Sequence, residues 1–350
     1  MFKKMGMTVL VGCFALTAGL AAQASQSSTQ TNQGAQAQTQ GDQQPSGEQA
    51  AAPAVRVPGQ AASLEERDAW LAANQAPTLA EKASKAEAFL KQYPNSGLTA
   101  NAEYLIAMNC YQEGQVDDFI RHAEAAITEL PMAFDLMSHL AFYYAETHRP
   151  DQAIERANRA LTIVEHLSKP AEASPEKWVS EKDQILAEVN YALGRSYLEH
   201  SFQSKGEESK ANLQKSITYL QEALKHDPQH DFANFRLALA ERNTGNVTRT
   251  LISYGRCVAV GGVAAEPARQ QIGEILDIVN KKLPKSQWAG KSVDEVVAAA
   301  RTELLQSVAD RQAERDHEIQ LLRDQDALKA AAPPAAPASG EPVATPPPGR

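Results

Sequence analysis

A single pattern occurs twice between residues 100 and 167, and the two copies lie 34 residues apart. Six small or apolar positions recur at this spacing: Ile106/Leu140, Ala107/Ala141, Cys110/Tyr144, Phe119/Ala153, Ala123/Ala157 and Ala126/Ala160. Intervals of three, four and seven residues place such positions on one face of a helix. One helical hairpin cannot bury that face alone, so a period of this length predicts stacked hairpins.

The residues around the pattern predict where each helix of a hairpin ends. The small side chains of Ala107 and Ala126 let two antiparallel helices approach closely. Gly114 lies between the two helices of the first copy, where a left-handed residue commonly ends a helix. Pro131 follows the second helix and prevents its continuation.

Further copies follow the tandem pair. Leu193-Gly194-x-x-Tyr197 matches the L-G-x-x-Y core of tetratricopeptide repeats at every specified position. The stretch from Phe89 to Tyr104 is similar to the repeat junctions of tetratricopeptide proteins of the bacterial cell envelope. A fourth copy spans residues 231–262 and carries Glu241 where an aromatic residue is usual. This resemblance covers residues 63–262 and implies an all-α tetratricopeptide helix-hairpin solenoid, with a concave face lined by the first helix of each hairpin.

Composition divides the chain into five segments. Residues 1–24 resemble a signal peptide, residues 25–61 form a Gln/Ser/Ala-rich tether predicted to be disordered, and residues 62–283 form the solenoid with a capping helix. Residues 284–331 are predicted to be a long C-terminal helix, and the Pro/Ala-rich residues 332–350 a disordered tail.

The leader predicts export. Lys3 and Lys4 precede an apolar run, and Ala22-Gln23-Ala24 is a small-x-small cleavage signal, so we expect a periplasmic or secreted product. Two alternatives remain open at this point: a lipid on Cys13, in a Leu-Val-Gly-Cys box, or an uncleaved anchor. We expect no membrane span after cleavage.

The formal charge of −9 would become about −11 once the leader's two lysines are removed. Such a balance disfavours nonspecific binding to nucleic acid or to an anionic membrane.

The C-terminal helix is predicted to begin at a capping box, Ser292-Val-Asp-Glu295. An apolar stripe runs from Val293 to Val308, whereas charged residues dominate residues 310–318. The sequence therefore predicts that the helix docks by its first half and projects into solvent by its second half.

Between residues 201 and 210, a polar stretch is predicted to be an insertion that separates two paired helices.

Motifs of known chemistry are weak in this chain. Gly290-Lys291-Ser292 lacks the earlier glycine of a phosphate loop, and Ser174-x-x-Lys177 lacks the Lys-Thr-Gly partner of serine–lysine acylases, so both serines are better explained as helix caps. The turn His226–Asp231 contains residue types that bind zinc, but polar residues are expected between repeats. Cys110 and Cys257 are interpreted as buried core thiols.

The predicted binding surface consists of side chains on the first helices that pair with neither the second helix nor the next hairpin. By helical phase these are Tyr104, Met108, Tyr111, Ser138, Phe142, Tyr191, Arg195, Leu198, Phe232, Phe235, Leu239 and Arg242. The set is rich in aromatic residues and arginine, which are enriched at binding hot spots. Any one of them could instead be a core residue.

The predicted function is noncatalytic binding of a peptide or protein partner in the concave groove. The alternative is a structural auxiliary subunit of an envelope assembly or secretion complex that uses its convex face and C-terminal helix. No nucleophile–base–orienter set can be assembled from the sequence, so an enzyme is the minority interpretation. No cofactor and no metal site are predicted.

Overall fold

The computed structural model describes residues 56–331. Within this range the chain is all-α and contains no strand. Its helices are α1 (Leu64–Asn74), α2 (Leu79–Gln92), α3 (Thr99–Glu113), α4 (Val116–Glu129), α5 (Phe134–Glu146), α6 (Pro150–His166), α7 (Pro175–Gln203), α8 (Gly206–His226), α9 (Asp231–Thr244), α10 (Val247–Val260), α11 (Ala265–Lys282) and α12 (Val293–Ala331).

Several predictions concern residues outside this range. The signal peptide 1–24, the lipid site at Cys13, most of the tether and the tail 332–350 lie outside the described residues. The last residues predicted to belong to the tether are described, and they contact the turn between α2 and α3. Gly59 N donates to Gly97 O at 2.7 Å, and Arg56 Nε donates to Ser96 O at 2.9 Å. Gly97 allows this contact because a Cβ there would lie 2.0 Å from the Val57 carbonyl oxygen.

The predicted helix boundaries are set by side-chain caps. The hydroxyl groups of Ser63, Thr78, Ser174 and Ser292 accept hydrogen bonds from the backbone N–H three residues later, at 3.1–3.2 Å. At α12 the capping box is reciprocal, since Ser292 N donates to Glu295 Oε2 at 2.8 Å. Ser174 and Ser292 are therefore helix caps, as their sequence context indicates.

The recurring positions are helix contacts. The alanines of the tandem pattern, at positions 107, 123, 126, 141, 157 and 160, are all fully buried. Gly114 ends α3 with φ of 69°, a left-handed conformation that favours glycine. Gly194 lies at a helix contact, because a Cβ there would be 2.5 Å from Leu220 Cγ. Cys110 and Cys257 are buried free thiols, as expected.

Two compact units divide the chain between His122 and Ala123, inside α4. In the C-terminal unit α5 packs on α6, α7 on α8 and α9 on α10, so each pair forms a hairpin. Each second helix also packs on the first helix of the next hairpin, as α6 does on α7 and α8 on α9. An apolar cluster of α9, α10 and α11 also receives Val296 and Val297 from the start of α12.

The predicted insertion at residues 201–210 is wrong. These residues belong to the two paired helices, and only Ser204 and Lys205 separate α7 from α8. The reason is local capping, since Ser204 Oγ donates to His200 O at 2.7 Å and Ser209 Oγ donates to Ser201 O at 2.6 Å. The polar composition of the stretch reflects exposure at the end of a long hairpin, where Phe202 is also exposed.

The predicted projection of the second half of α12 into solvent is also wrong. This half lies along α7 and is joined to it by ion pairs, including Arg311 Nε to Asp183 Oδ2 at 3.0 Å. Hydrophobic patterning does not show this contact, because the contact is made by charged side chains. The apolar first half docks as expected, with Val296, Ala300 and Leu304 buried.

Candidate partner-binding surface

The candidate surface of the C-terminal unit is formed by α5, α7 and α9, the first helices of three successive hairpins. We call it the first-helix face. α5 packs on α7, and α7 contacts α9, so side chains of these helices meet without an intervening second helix. Residues at the same phase of each helix can therefore form one row.

An aromatic row crosses this face. The ring centroids of Phe142 and Tyr191 are 5.8 Å apart, and those of Tyr191 and His230 are 4.7 Å apart in a stacked arrangement. His230 is fixed because its Nδ1 accepts a hydrogen bond from Ala233 N at 3.3 Å and so caps α9. The row thus begins on α5, passes through α7 and ends at the first turn of α9.

A buried ionic network holds the row in place. Glu146 Oε1 accepts hydrogen bonds from Tyr191 Oη at 2.7 Å and from Arg195 Nε at 2.6 Å. Burial tends to raise the pKa of Glu146, but the bonds from Arg195 and Tyr191 hold it below its usual range. Burial raises the pKa of Tyr191, so its hydroxyl remains a donor at neutral pH. The network ties α5 to α7 through charge-assisted hydrogen bonds.

A second pair joins α5 and α7, and each of its residues lies seven positions before Glu146 or Arg195 on the same helix. His139 Nδ1 lies 3.0 Å from both carboxylate oxygens of Glu188. Burial of His139 tends to lower its pKa, but the Glu188 carboxylate raises it above its usual value. The backbone of this face is therefore positioned by polar pairs on both sides of the Phe142–Tyr191 contact.

The predicted site residues separate by exposure. Ser138, Tyr191, Arg195 and Leu198 are buried, so their side chains hold helices together. Phe142, Phe232 and Leu239 are half-buried and pack against the apolar cluster that contains Tyr191 and Leu198. Of the predicted residues in the C-terminal unit, these three pack against the same cluster and are partly accessible to solvent.

Two predicted residues point elsewhere. The Phe235 ring lies 5.4 Å from that of Tyr254, inside the hairpin of α9 and α10. The exposed Arg242 donates from Nη1 to Gln271 Oε1 of α11. Phe235 therefore packs within its own hairpin, and Arg242 contacts α11.

The N-terminal unit contributes three predicted residues on α3. Tyr104, Met108 and Tyr111 are half-buried, and the Tyr111 ring lies 5.7 Å from that of Phe119 on α4. Their role in binding stays a prediction, as does that of the residues on the first-helix face.

Sequence reasoning missed the acidic residues of this face. His139 and Glu146 are seven residues apart on α5, and Glu188 and Arg195 are seven apart on α7. Residues seven apart share a helix face. Ionisable residues repeating at this interval on two neighbouring first helices were the available signal for inter-helix ion pairs.

The turn between α8 and α9 does not gather its histidines. His226 Nδ1 is 2.9 Å from Asp183 Oδ1 of α7, whereas His230 stacks on Tyr191. Across residues 56–331, no group of three or more His, Cys, Asp or Glu side chains is arranged to hold a metal ion. In the same range, every helix is too short or too polar to cross a membrane.

The chain has an all-α fold of tetratricopeptide-type helical hairpins. Its pattern recurs after 34 residues, small residues are buried at the helix contacts, and left-handed glycines follow α3 and α9. No protein-family model matches the chain, and a search of curated proteins found no match.

Solved structures similar to the chain include MamA protein, at 16% identity over 63% of this chain and 96% of that chain, with a TM-score of 0.35. PilW, titled a widely conserved type IV pilus biogenesis factor, is 14% identical over 65% of this chain and 97% of that chain, with a TM-score of 0.37. Human IFIT1, solved as a dimer with PPP-AAAA, is 12% identical over 77% and 73% of the respective chains, with a TM-score of 0.31. These scores are low, and the fold assignment stands on the hairpins themselves.

Proposed function

We propose that this protein is a noncatalytic scaffold that binds a peptide or a protein on the first-helix face. The observation that supports this most directly is the aromatic row, in which the half-buried Phe142 and His230 flank the buried Tyr191 that the Glu146 network holds in place. A surface whose backbone and aromatic side chains are already fixed loses little conformational entropy when a partner binds.

The accessible residues fit a partner with apolar side chains. Phe142, Phe232 and Leu239 are half-buried and share one apolar cluster. An amphipathic helix or an extended peptide places apolar side chains at intervals that such a surface accepts. The half-buried Tyr104, Met108 and Tyr111 of α3 form a separate candidate contact on the N-terminal unit.

The proposal includes export. The basic start, the apolar run and Ala22-Gln23-Ala24 support cleavage after Ala24 and action in the periplasm or outside the cell. N-terminal sequencing of the purified mature protein tests this step. A sequence that begins at Ser25 is the expected result, whereas a lipid-modified Cys13 or an intact Met1 would contradict it.

The binding test uses variants that remove accessible aromatic side chains. Tyr104→Ala with Phe142→Ala should reduce affinity for a partner captured from envelope extract, identified and purified, by at least tenfold. Met132→Ala is the matched control, since Met132 is an exposed apolar residue between α4 and α5. Wild-type affinity in the double variant, with helicity unchanged, would exclude both Tyr104 on the N-terminal unit and Phe142 on the first-helix face as binding contacts.

A second candidate function is that of a structural auxiliary subunit of an envelope assembly, acting through α12. The exposed leucines Leu305, Leu321 and Leu328 on this helix favour it. Cross-linking from Gln325 in envelope extract would distinguish the two roles. Cross-links to several subunits of one fixed complex would support the auxiliary role. Cross-links to a partner that disappear in the Tyr104→Ala/Phe142→Ala variant would support the scaffold role.

A further inference from the structure

The second half of α12, residues 305–329, lies antiparallel to α7 and contacts it through charged side chains. We call this segment the strap. The ion pairs follow the strap in order. Arg311 and Arg315 both pair with Asp183, and Glu318 pairs with Lys182. Arg323 then pairs with Glu176, and Asp326 pairs with Lys169, which lies just before α7. Charges of opposite sign alternate along the strap and along residues 169–183, so opposite charges meet in a single alignment of the two segments.

Asp183 is the centre of this contact. Its side chain is buried, and both carboxylate oxygens are occupied. Arg311 Nε donates to Oδ2 at 3.0 Å, Arg315 Nε donates to the same oxygen, and His226 Nδ1 lies 2.9 Å from Oδ1. A buried carboxylate needs such partners, because an unpaired charge away from water is unfavourable.

The strap has a partly covered apolar side, on which Val308, Ile319 and Leu322 are half-buried. Leu305, Leu321 and Leu328 are exposed, and its other ion pairs with α7 are partly exposed. Where α12 passes over α8, α9 and α10, an open cavity of about 740 Å³ lies beneath it. Leu224, Leu237 and Ile252 are among the residues that line this cavity. The strap is therefore fixed in register by matched charges, and its apolar residues are only partly covered.

The strap also stabilises its own helix. Gln306, Gln312 and Gln320 each donate a side-chain hydrogen bond to the aspartate four residues later, at 2.7–2.8 Å. Gln–Asp pairs at this interval stabilise isolated helices. These residues are exposed, so the pairs do not depend on α7.

We propose that the α7 surface beneath the strap, formed by Lys169, Glu176, Lys182 and Asp183, is a second docking site that accepts a helix from a partner protein in exchange for the strap. It is distinct from the first-helix face and does not depend on the function proposed for that face. The exposed pairs, such as Arg323–Glu176, exchange readily because water and competing charges replace them at low cost. The buried Asp183 instead requires that the incoming helix replace the arginines of the strap.

The chemistry of the site specifies the partner. The incoming helix must carry two arginines one turn apart, because Asp183 accepts from two guanidinium groups at positions 311 and 315. After them it must present an acidic residue to Lys182, a basic residue to Glu176 and an acidic residue to Lys169, in that order. A helix with the opposite charge order would place like charges together and would be rejected.

A fluorescent synthetic peptide with the sequence of residues 305–329 is the probe. It is added to the full chain carrying Arg311→Ala and Arg315→Ala, whose own strap can no longer engage Asp183. Fluorescence anisotropy should show binding at least tenfold tighter than to the wild-type chain. A peptide with both arginines changed to glutamate should bind at least tenfold more weakly, and adding Asp183→Asn to the chain should abolish binding.

Equal binding of the two peptides, or binding of neither to the double variant, would overturn the proposal. If circular dichroism shows that the double variant does not fold, Arg315→Ala alone replaces it under the same criteria. A concentration-dependent dimer of the wild-type chain that Asp183→Asn removes would identify a second copy as the occupant and would overturn the assignment to a different protein.

Discussion

The two halves of α12 are docked by different physical means. In the first half Val296 and Ala300 are fully buried, and Gly255 of α10 lets the helices approach, since a Cβ there would lie 2.6 Å from Ala300 Cβ. In the second half the contact is centred on the ion pairs of Asp183, and the apolar residues Val308, Ile319 and Leu322 are only half-buried. The adjacent residues Leu304, 4% exposed, and Leu305, 62% exposed, mark the change from one to the other.

This difference shows how one continuous helix can have a permanent part and an exchangeable part. Apolar burial does not depend on ionic strength in the way that exposed ion pairs do, since the distance beyond which salt screens two charges falls from about 10 Å at 0.1 M to about 3 Å at 1 M. The strap is therefore separable from the solenoid, whereas the first half of α12 is part of the core.

The largest effect is expected from Leu304→Ala in the apolar half. Removing a buried leucine side chain leaves a cavity and should lower the free energy of unfolding by about 2–5 kcal/mol. Leu305→Ala is the matched control, because its side chain is exposed, and should change little. Equal urea-unfolding midpoints for the two variants would show that the apolar half does not anchor α12.

The next effect is expected from Asp183→Asn in the ionic half. Hydrogen bonds to a charged group contribute about 1.5–3 kcal/mol, so unfolding should become easier by that order. Asp277→Asn on the exposed side of α11 is the control. Chemical denaturation of both variants measures the difference, and a neutral result at Asp183 would contradict its central role.

The pH dependence follows from the same residue. Burial tends to raise the pKa of Asp183, but His226, Arg311 and Arg315 together hold it below its usual value. Its contribution to stability is therefore complete above the unfolded pKa of about 3.9 and is lost as the pH falls through the lower folded value. Denaturation between pH 5 and pH 2 should show a steeper loss in wild type than in Asp183→Asn; parallel curves would contradict this.

The contact between α7 and α8 is a third region, and its cost of substitution can be compared with those at α12. Gly194→Leu would force a side chain against Leu220 and should cost about 1–3 kcal/mol. Repeats share stability with their neighbours, so α9 and α10 should lose protection together with α7 and α8. Thermal melts and amide exchange check this, and an unchanged melting temperature would show that the contact tolerates a side chain.

The smallest effect is expected from Arg323→Ala at the exposed end of the strap. Arg323 and Glu176 are both largely exposed, and pairs of this kind contribute little to global stability. The melting temperature should stay unchanged while amide exchange in residues 320–329 becomes faster. A large drop in melting temperature would mean that the strap is an integral part of the fold.

The hairpins could be predicted from the sequence because their contacts are made by small apolar residues at a fixed period. Ala107, Ala141 and Gly194 are examples, and all three lie where helices touch. The caps at Ser174 and Ser292 were equally predictable, because capping depends on residues within one turn.

The site was only partly predictable. Helical phase placed Phe142 and Tyr191 on the same face, but it could not show that Tyr191 and Arg195 are covered by neighbours and bonded to Glu146. Tyr191→Ala with Arg195→Ala would therefore disturb the contact between α5 and α7, and it is not a clean test of binding. The strap was missed because ion pairs such as Asp183–Arg311 have no hydrophobic period.

Amide hydrogen exchange along α12 of the wild-type chain, at 0.05 M and at 1 M NaCl, tests the central claim most directly. We expect residues 316–329 to exchange faster than residues 296–304 at low salt, and the difference to grow at least tenfold at high salt. Exchange in residues 296–304 should not change. Uniform protection along the whole of α12, unaffected by salt, would contradict the account.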